Sequence, residues 1–293
     1  MEMICVPLLL KMKTEDTYNK AGLYEAIFKR KSFHLFRGVG KDSIAQSELD
    51  AIAEAWQGFE PLVPEIRTAV RIVPASKVNF KRDAEYCILI YSEKKENYLM
   101  NAGYMGEQLD LWLASHNIGS LWFGIGRPDQ PSWDGLDFVI MIAIHKVTDE
   151  GKFRKDMFKA KRKPLEETWV GDGLAGAEGL GACEGLGVCE GLGVAEIARF
   201  APSACNTQPW YVENKNGVLT VFRYRKHGKR GIMPAAAVSY YNRIDIGIYL
   251  CILELCLQHC GICFERLSFP DAGGEEEFTK VAEYRLGPAT SSM

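Results

Sequence analysis

The chain has 293 residues, 47% of them hydrophobic, with a formal net charge of -3 and nine cysteines. That is ample apolar material for a core, in one large domain or two smaller fused ones. A nearly balanced charge without basic stretches interleaved with aromatics excludes a nucleic-acid partner, and an odd cysteine number without a secretion signal predicts free thiols in a reducing, cytoplasmic setting.

The apolar run Ile4 to Leu10 is too short to span a bilayer and has no basic leader. Residues 1–21 are expected to be an N-terminal extension, with no membrane partner. From Gly22 to Lys31 the sequence GLYEAIFKRK sets Leu23, Ala26 and Ile27 on one helical face and runs into Arg30, Lys31 and Ser32. Two cations and a hydroxyl can clamp a phosphate through charge-assisted hydrogen bonds. Equally, the macrodipole favours Lys and Arg at any helix C-terminus.

A second helix is expected from Ser43, as N-cap, to Trp56. Strand-like runs follow at Ala69 to Pro74 and Tyr86 to Tyr91. The latter, YCILIY, is apolar throughout, which predicts a central strand buried on both faces. Tyr98 to Asn117 reads as a long buried helix that turns through Gly119 into an aromatic strand ending at Phe123 and Gly124. Phe138 to Ile144 is another central strand. Seven residues between Lys152 and Lys163 are Lys or Arg, ordinarily a solvated face or linker.

Residues 171–193 are glycine-dense, and Glu178, Glu184 and Glu190 each open a Glu-Gly-Leu-Gly repeat. Gly171 to Gly176 formally satisfies G-x-G-x-x-G, but no apolar strand precedes it and no helix pattern follows, which argues against a dinucleotide fingerprint. Residues 164–193 are expected to bridge two units, 22–163 and 194–293. An offset of 144 residues (247 − 103) pairs Gly103 with Gly247, Leu109 with Leu253, Leu111 with Leu255 and Leu113 with Leu257. The units read as diverged copies of one α+β element.

Beyond the bridge, Val194 to Phe200 has helical spacing and Pro202 ends it. Between Pro202 and Pro209 stand Ser203, Asn206 and Gln208, side chains able to hydrogen-bond a planar ligand with polar edges. Trp210 to Val212 and Val218 to Phe222 flank Asn216-Gly217, a hairpin signal. Asp245 opens a helix through Cys260, and Val281 to Leu286 is a last strand. Cys256, Cys260 and Cys263 have the C-x3-C-x2-C spacing of an iron-sulfur ligand set. Cysteines one turn apart on an apolar helix instead pack as small hydrophobes, so no metal is expected.

Ala201-Pro-Ser-Ala-Cys-Asn-Thr-Gln-Pro-Trp210 resembles the helix-to-strand signature of the FMN-dependent nitroreductase-like family. Arg30, Lys31, Ser32 and Phe36 are similar to that family's Arg-Arg-Ser-x-Arg-x-Phe opening. His34, mostly neutral at pH 7, stands where the family has a second cation, and Arg37 is a candidate to complete the clamp.

The resemblance implies an α+β, nitroreductase-like fold: two diverged α+β halves fused in one chain, each a central, mostly antiparallel sheet packed with helices. It implies FMN held at its phosphate by Arg30, Lys31, Ser32 and His34, at N5 by backbone of Phe123 and Gly124, at the pyrimidine edge or phosphate by Lys161 and Lys163, and along the ring edge by Pro202, Ser203, Asn206 and Gln208. Family members build each site from two identical subunits. Here the first half lacks the Ser-x-x-Asn-x-Gln series and the second lacks the Arg-Lys-Ser clamp. One chain is therefore expected to form a pseudo-dimer with one complete and one degenerate site, monomeric or in a higher oligomer.

The activity implied is hydride transfer from NADH or NADPH through FMN to a small planar acceptor such as a nitroaromatic or quinone. No acid-base residue is required, because the cofactor carries the reaction. A flavin-binding or sensing module without turnover is the alternative, and an iron-sulfur enzyme a more distant one.

Overall fold

A computed structural model describes residues 20–40, 42–80, 82–174, 192–225 and 231–287. The three Glu-Gly-Leu-Gly repeats start outside these residues, as does nearly all of the N-terminal extension.

The described chain opens with α1 (Lys20–Lys29) and α2 (Gln46–Gly58). The second starts at Gln46 rather than after Ser43 because Glu48 reaches back to accept the Ala45 N–H at 2.9 Å, one arm of a capping box. β1 (Thr68–Pro74) and β2 (Tyr86–Ser92) then lead into α3 (Tyr98–Ser115). β3 (Ile118–Phe123), the short β4 (Ser132–Trp133) and β5 (Leu136–Lys146) complete a sheet in the order β1-β2-β5-β3, with β4 paired to β5. Every pairing in it is antiparallel. β2 lies between β1 and β5 and is buried from Cys87 to Ser92, as a continuous apolar run requires.

β6 (Trp169–Val170) falls within the expected bridge and pairs in parallel with β7 (Trp210–Lys215). The chain leaving the first half thus supplies an edge strand to the second sheet. Between them lies α4 (Val194–Ala198). β7 and β8 (Val218–Tyr224) form the predicted hairpin, with Asn216 and Gly217 at φ 53° and 76°, the left-handed pair that a tight hairpin turn demands. α5 (Ala235–His259), β9 (Phe264–Ser268) and β10 (Phe278–Leu286) follow. The second sheet runs β6-β7-β8-β10-β9. α5 begins well before Asp245, where the apolar pattern starts, and β9 had no counterpart in the sequence reading.

Without β4 and β6 the two sheets have one topology, β1-β2-β5-β3 matching β7-β8-β10-β9. In each half a single long helix, α3 or α5, joins the second strand to the third. The repeat seen in sequence is thus a repeat of fold.

α3 and α5 pack on each other at the centre, with α1 against both. A Cβ on Gly103 would fall on the Ile244 carbonyl, and one on Gly247 would fall on the Met100 carbonyl. The helix backbones touch there because neither residue has a side chain. Leu109, Leu111 and Leu113 on α3 and Leu253, Leu255 and Leu257 on α5 are buried, consistent with helices enclosed on most sides. The buried apolar residues of both halves form one cluster. Among the described residues no helix is long and apolar enough to cross a membrane.

Candidate functional site

The first wall of the site is built where α1 ends. Arg30 is 4% exposed and its Nε donates to Asp110 of α3 at 2.7 Å. Asp110, fully buried, also accepts from Trp122 Nε1 at 2.9 Å and from the Ser120 hydroxyl, both on β3. Ser32 forms a parallel bridge with Ser120, and the Phe33 N–H donates to the Ser120 carbonyl at 2.9 Å. Arg30 and Ser32 are therefore fixed by one carboxylate and one strand. His34 is exposed. Arg37 does not complete a clamp: it is 80% exposed and paired with Asp83 at 3.3 Å.

The second wall is the turn after Pro202. Cys205, Asn206 and Gln208 all have positive φ, 50°, 54° and 49°. Asn tolerates this region better than most side chains, whereas Cys and Gln adopt it only when their surroundings impose it. Those surroundings are visible. The Ser203 hydroxyl accepts the Gln208 N–H at 3.0 Å, and Asp245 of α5 accepts the Ala204 N–H at 2.9 Å.

The amides of Gln208 and Asn206 bond to the chain that precedes the bridge. Gln208, 3% exposed, accepts the Lys163 N–H at 2.9 Å and donates to the Asn206 carbonyl at 3.2 Å. Asn206 accepts from Arg162 Nη1 at 3.1 Å and donates to the Lys161 carbonyl at 3.0 Å. Both side chains hold the strap 161–163 against the turn, since buried backbone groups need partners. Lys163 in turn donates from Nζ to the Gln208 carbonyl at 2.8 Å, and Lys161 is exposed.

Between the walls four guanidinium groups converge. Burial first, and then repulsion from Arg154, Arg30 and Arg199, lowers the Arg162 pKa to about 10. Burial and then Arg30 do the same to Arg154, also to about 10. Lys31 is lowered by burial and by Lys152 and Arg154. Buried nitrogens of Arg30 (Nη2), Arg162 (Nε) and Arg199 (Nε) have no hydrogen-bond partner among the described residues. Beside them Glu107 is fully buried with neither oxygen bonded, and burial followed by Asp110 raises its pKa far above the usual carboxylate range. Such an excess of desolvated, underbonded cation calls for an anion.

Arg154, Arg162, Arg199 and Asp110 were not among the sequence candidates. Arg162 and Arg154 were hidden in a basic run that reads as a solvated face. Asp110 carried a usable signal, a carboxylate that with Glu107 interrupts a mostly apolar helix.

Phe123 and Gly124 lie at the end of β3. The Tyr241 hydroxyl of α5 donates to the Gly124 carbonyl at 2.5 Å, and a Cβ on Gly124 would stand 2.7 Å from Tyr241 Cε1. Side chains of α5 therefore touch both this strand end and, through Asp245, the Ser203 turn.

The 144-residue offset carries Asp110 onto Glu254. Glu254 accepts from Tyr104 at 2.8 Å, from Tyr284 at 2.7 Å and from Arg266, and Arg266 also reaches the Leu62 carbonyl at 3.1 Å. Tyr104 and Tyr284 are buried. This counterpart cluster closes on itself, whereas that of Asp110 keeps unpaired donors. Cys256 is buried and Cys263 exposed, and among the described residues no group of three or more His, Cys, Asp or Glu could hold a metal ion.

Two halves of one topology, crossed at α3 and α5 with an arginine-lined site between them, define a tandem nitroreductase-like fold. Residues 22–257 match the family model described as "Putative TM nitroreductase". The chain belongs to that family, whose members are oxidoreductases. A "putative nitroreductase" from Thermotoga maritima superposes with a TM-score of 0.56 at 18% identity, covering 95% of this chain and 98% of that one. A nitroreductase family protein from Clostridium difficile aligns at 15% identity over 49% of this chain and 94% of its own, TM-score 0.39. A "putative nitroreductase in complex with fmn" from Desulfovibrio desulfuricans aligns at 17% identity over 50% of this chain and 93% of its own, TM-score 0.35. No curated protein matches the sequence.

Proposed function

We propose that the chain is an FMN-dependent oxidoreductase that takes hydride from NADH or NADPH and delivers it to a small planar acceptor, a nitroaromatic or quinone. The observation that carries this reading is the convergence of Arg30, Arg154, Arg162 and Arg199, three of them with buried nitrogens lacking partners. A phosphate monoester dianion matches that donor set in charge and in hydrogen-bonding capacity. Arg30 and Ser32 would hold the phosphate with Arg154 and Arg162, while Lys31 adds charge at the rim. The Ser203 hydroxyl accepts from Gln208 and keeps its own proton to donate to a ring edge. Asn206 acts through Arg162, which it holds, and Gln208 through the strap it fixes.

FMN bound there would supply hydride chemistry between the nicotinamide and the acceptor. The chain's own residues bind, orient and leave one ring face open. We propose a pseudo-dimer in which residues 22–163 and 194–293 each contribute one wall, with the counterpart site closed by Glu254, Tyr104, Tyr284 and Arg266.

The test is the absorbance spectrum of purified protein, before and after adding FMN, followed by anaerobic oxidation of NADH or NADPH with menadione or nitrofurazone. A bound flavin spectrum with acceptor-dependent turnover is expected. Failure to bind FMN overturns the reading, and tight binding without turnover makes the protein a flavin-binding module instead.

A further inference from the structure

The contact between Tyr241 and Gly124 joins the two halves, and it sits where the sequence resemblance puts backbone donors to the flavin. Tyr241 and Asp245 are four residues apart on α5, so they share one helix face. That face holds both sides of the site: Tyr241 donates to the Gly124 carbonyl at 2.5 Å, and Asp245 accepts from Ala204 at 2.9 Å.

The carbonyl of Gly124 belongs to the same peptide unit as the N–H of Ile125. Ile125 is 66% exposed, and its N–H has no acceptor among the described residues. A hydroxyl donating to a peptide carbonyl polarises the unit and makes its N–H a stronger donor. The hydroxyl is kept as a donor, because burial raises the Tyr241 pKa. Glycine at 124 is required for the contact, since a methyl there would strike the ring.

The other half makes a related contact without this capacity. Asn97, the counterpart of Tyr241 at the 144-residue offset, donates from Nδ2 to the Phe269 carbonyl at 3.1 Å. Phe269 is followed by Pro270, whose nitrogen carries no hydrogen to strengthen.

We propose that Tyr241 is a positioning residue for the flavin site: by bonding the Gly124 carbonyl it fixes the Gly124–Ile125 peptide and strengthens the Ile125 N–H as a donor to the N5 edge of FMN. This inference rests on the FMN reading above. A donor there favours oxidised flavin, whose N5 lone pair accepts it, over reduced flavin, whose N5 carries the transferred hydrogen.

The test uses the full chain loaded with FMN. Tyr241→Phe keeps the ring over Gly124 and removes the donor. FMN affinity is read by fluorescence titration, and the midpoint potential of the bound flavin by dye-equilibrated spectroelectrochemistry. Affinity for oxidised FMN is expected to fall by no more than about tenfold, because the arginines are untouched. The preference for oxidised over reduced flavin is expected to fall about tenfold, a rise of about 30 mV for a two-electron couple. Gly124→Ala, which pushes the Tyr241 ring aside, should raise the potential in the same direction. FMN-bound variants whose potentials both equal that of the wild type overturn the inference. Wild-type protein that takes up no FMN overturns the flavin reading itself, and shows this before any substitution is made.

Discussion

Gly103 and Gly247 make the same contact in opposite directions: the first lies against the carbonyl of Ile244, the second against that of Met100. Both contacts are displaced by 144 residues, so the α3–α5 crossing has a local two-fold relation inside one chain. It is the kind of self-complementary contact that symmetric dimers form between subunits.

Gly103→Ala or Gly247→Ala should therefore destabilise the fold. Helix propensity alone would favour Ala by about 1 kcal/mol, but the added methyl meets backbone, which cannot swing away. We expect a net loss of about 2–3 kcal/mol or more. Urea unfolding followed by circular dichroism measures it, and an unchanged or higher midpoint would contradict the crossing.

Asp110 holds Arg30, Ser120 and Trp122 at once. Asp110→Ala leaves the Arg30 charge buried and unpaired, which should cost about 3–5 kcal/mol. Asp110→Asn should cost less yet still weaken FMN binding, because Arg30 loses its charged anchor. Guanidinium unfolding paired with flavin titration separates the two effects.

Asp245 is fully buried, and burial raises its pKa to about 8 despite the hydrogen bond from Ala204. In the unfolded chain it ionises near its ordinary value of about 4. A raised folded pKa means that stability is fully present below about pH 4 and is lost as pH rises through about 8. Position 101, its counterpart, carries Asn and accepts the Val63 N–H at 2.9 Å in the same way. Asp245→Asn should thus match the wild type near pH 4 and exceed it by a few kcal/mol near pH 8. Thermal melts across that range check the sign.

Arg154 is repelled by Arg30 and held by burial at a lowered pKa of about 10. Arg154→Met should leave the ligand-free protein as stable as before or more stable, while FMN affinity falls by roughly tenfold to a hundredfold, the worth of one charge-assisted hydrogen bond. Differential scanning fluorimetry with and without FMN reads both. Loss of stability without loss of affinity would place Arg154 outside the phosphate site.

The sequence made visible those elements whose pattern is local. YCILIY announced a buried strand, Asn216-Gly217 a hairpin, and the leucines at a fixed offset a repeated helix. β9 was not visible, since Phe264-Glu265-Arg266-Leu267-Ser268 does not alternate cleanly, and the first turns of α5 are half-polar. In the site, Arg30 and Ser32 were legible from a helix end with a hydroxyl. The bond of Gln208 to the Lys163 N–H could not be read, because the two residues are distant in sequence. Arg162 was passed over between two lysines because its bonds to Asn206 and to the Phe200 carbonyl, which distinguish it from a solvated neighbour, form only on folding.

An assembly of two identical chains cannot alter one cleft without altering the other. Written in tandem, the copies are released from that bond: Arg266 and two tyrosines close around Glu254, while Arg30 beside Asp110 keeps a buried nitrogen without a partner among the described residues. The crossing of α3 and α5 is where this independence ends. A change at either glycine is felt by both halves together, so the two copies still evolve there under a common constraint.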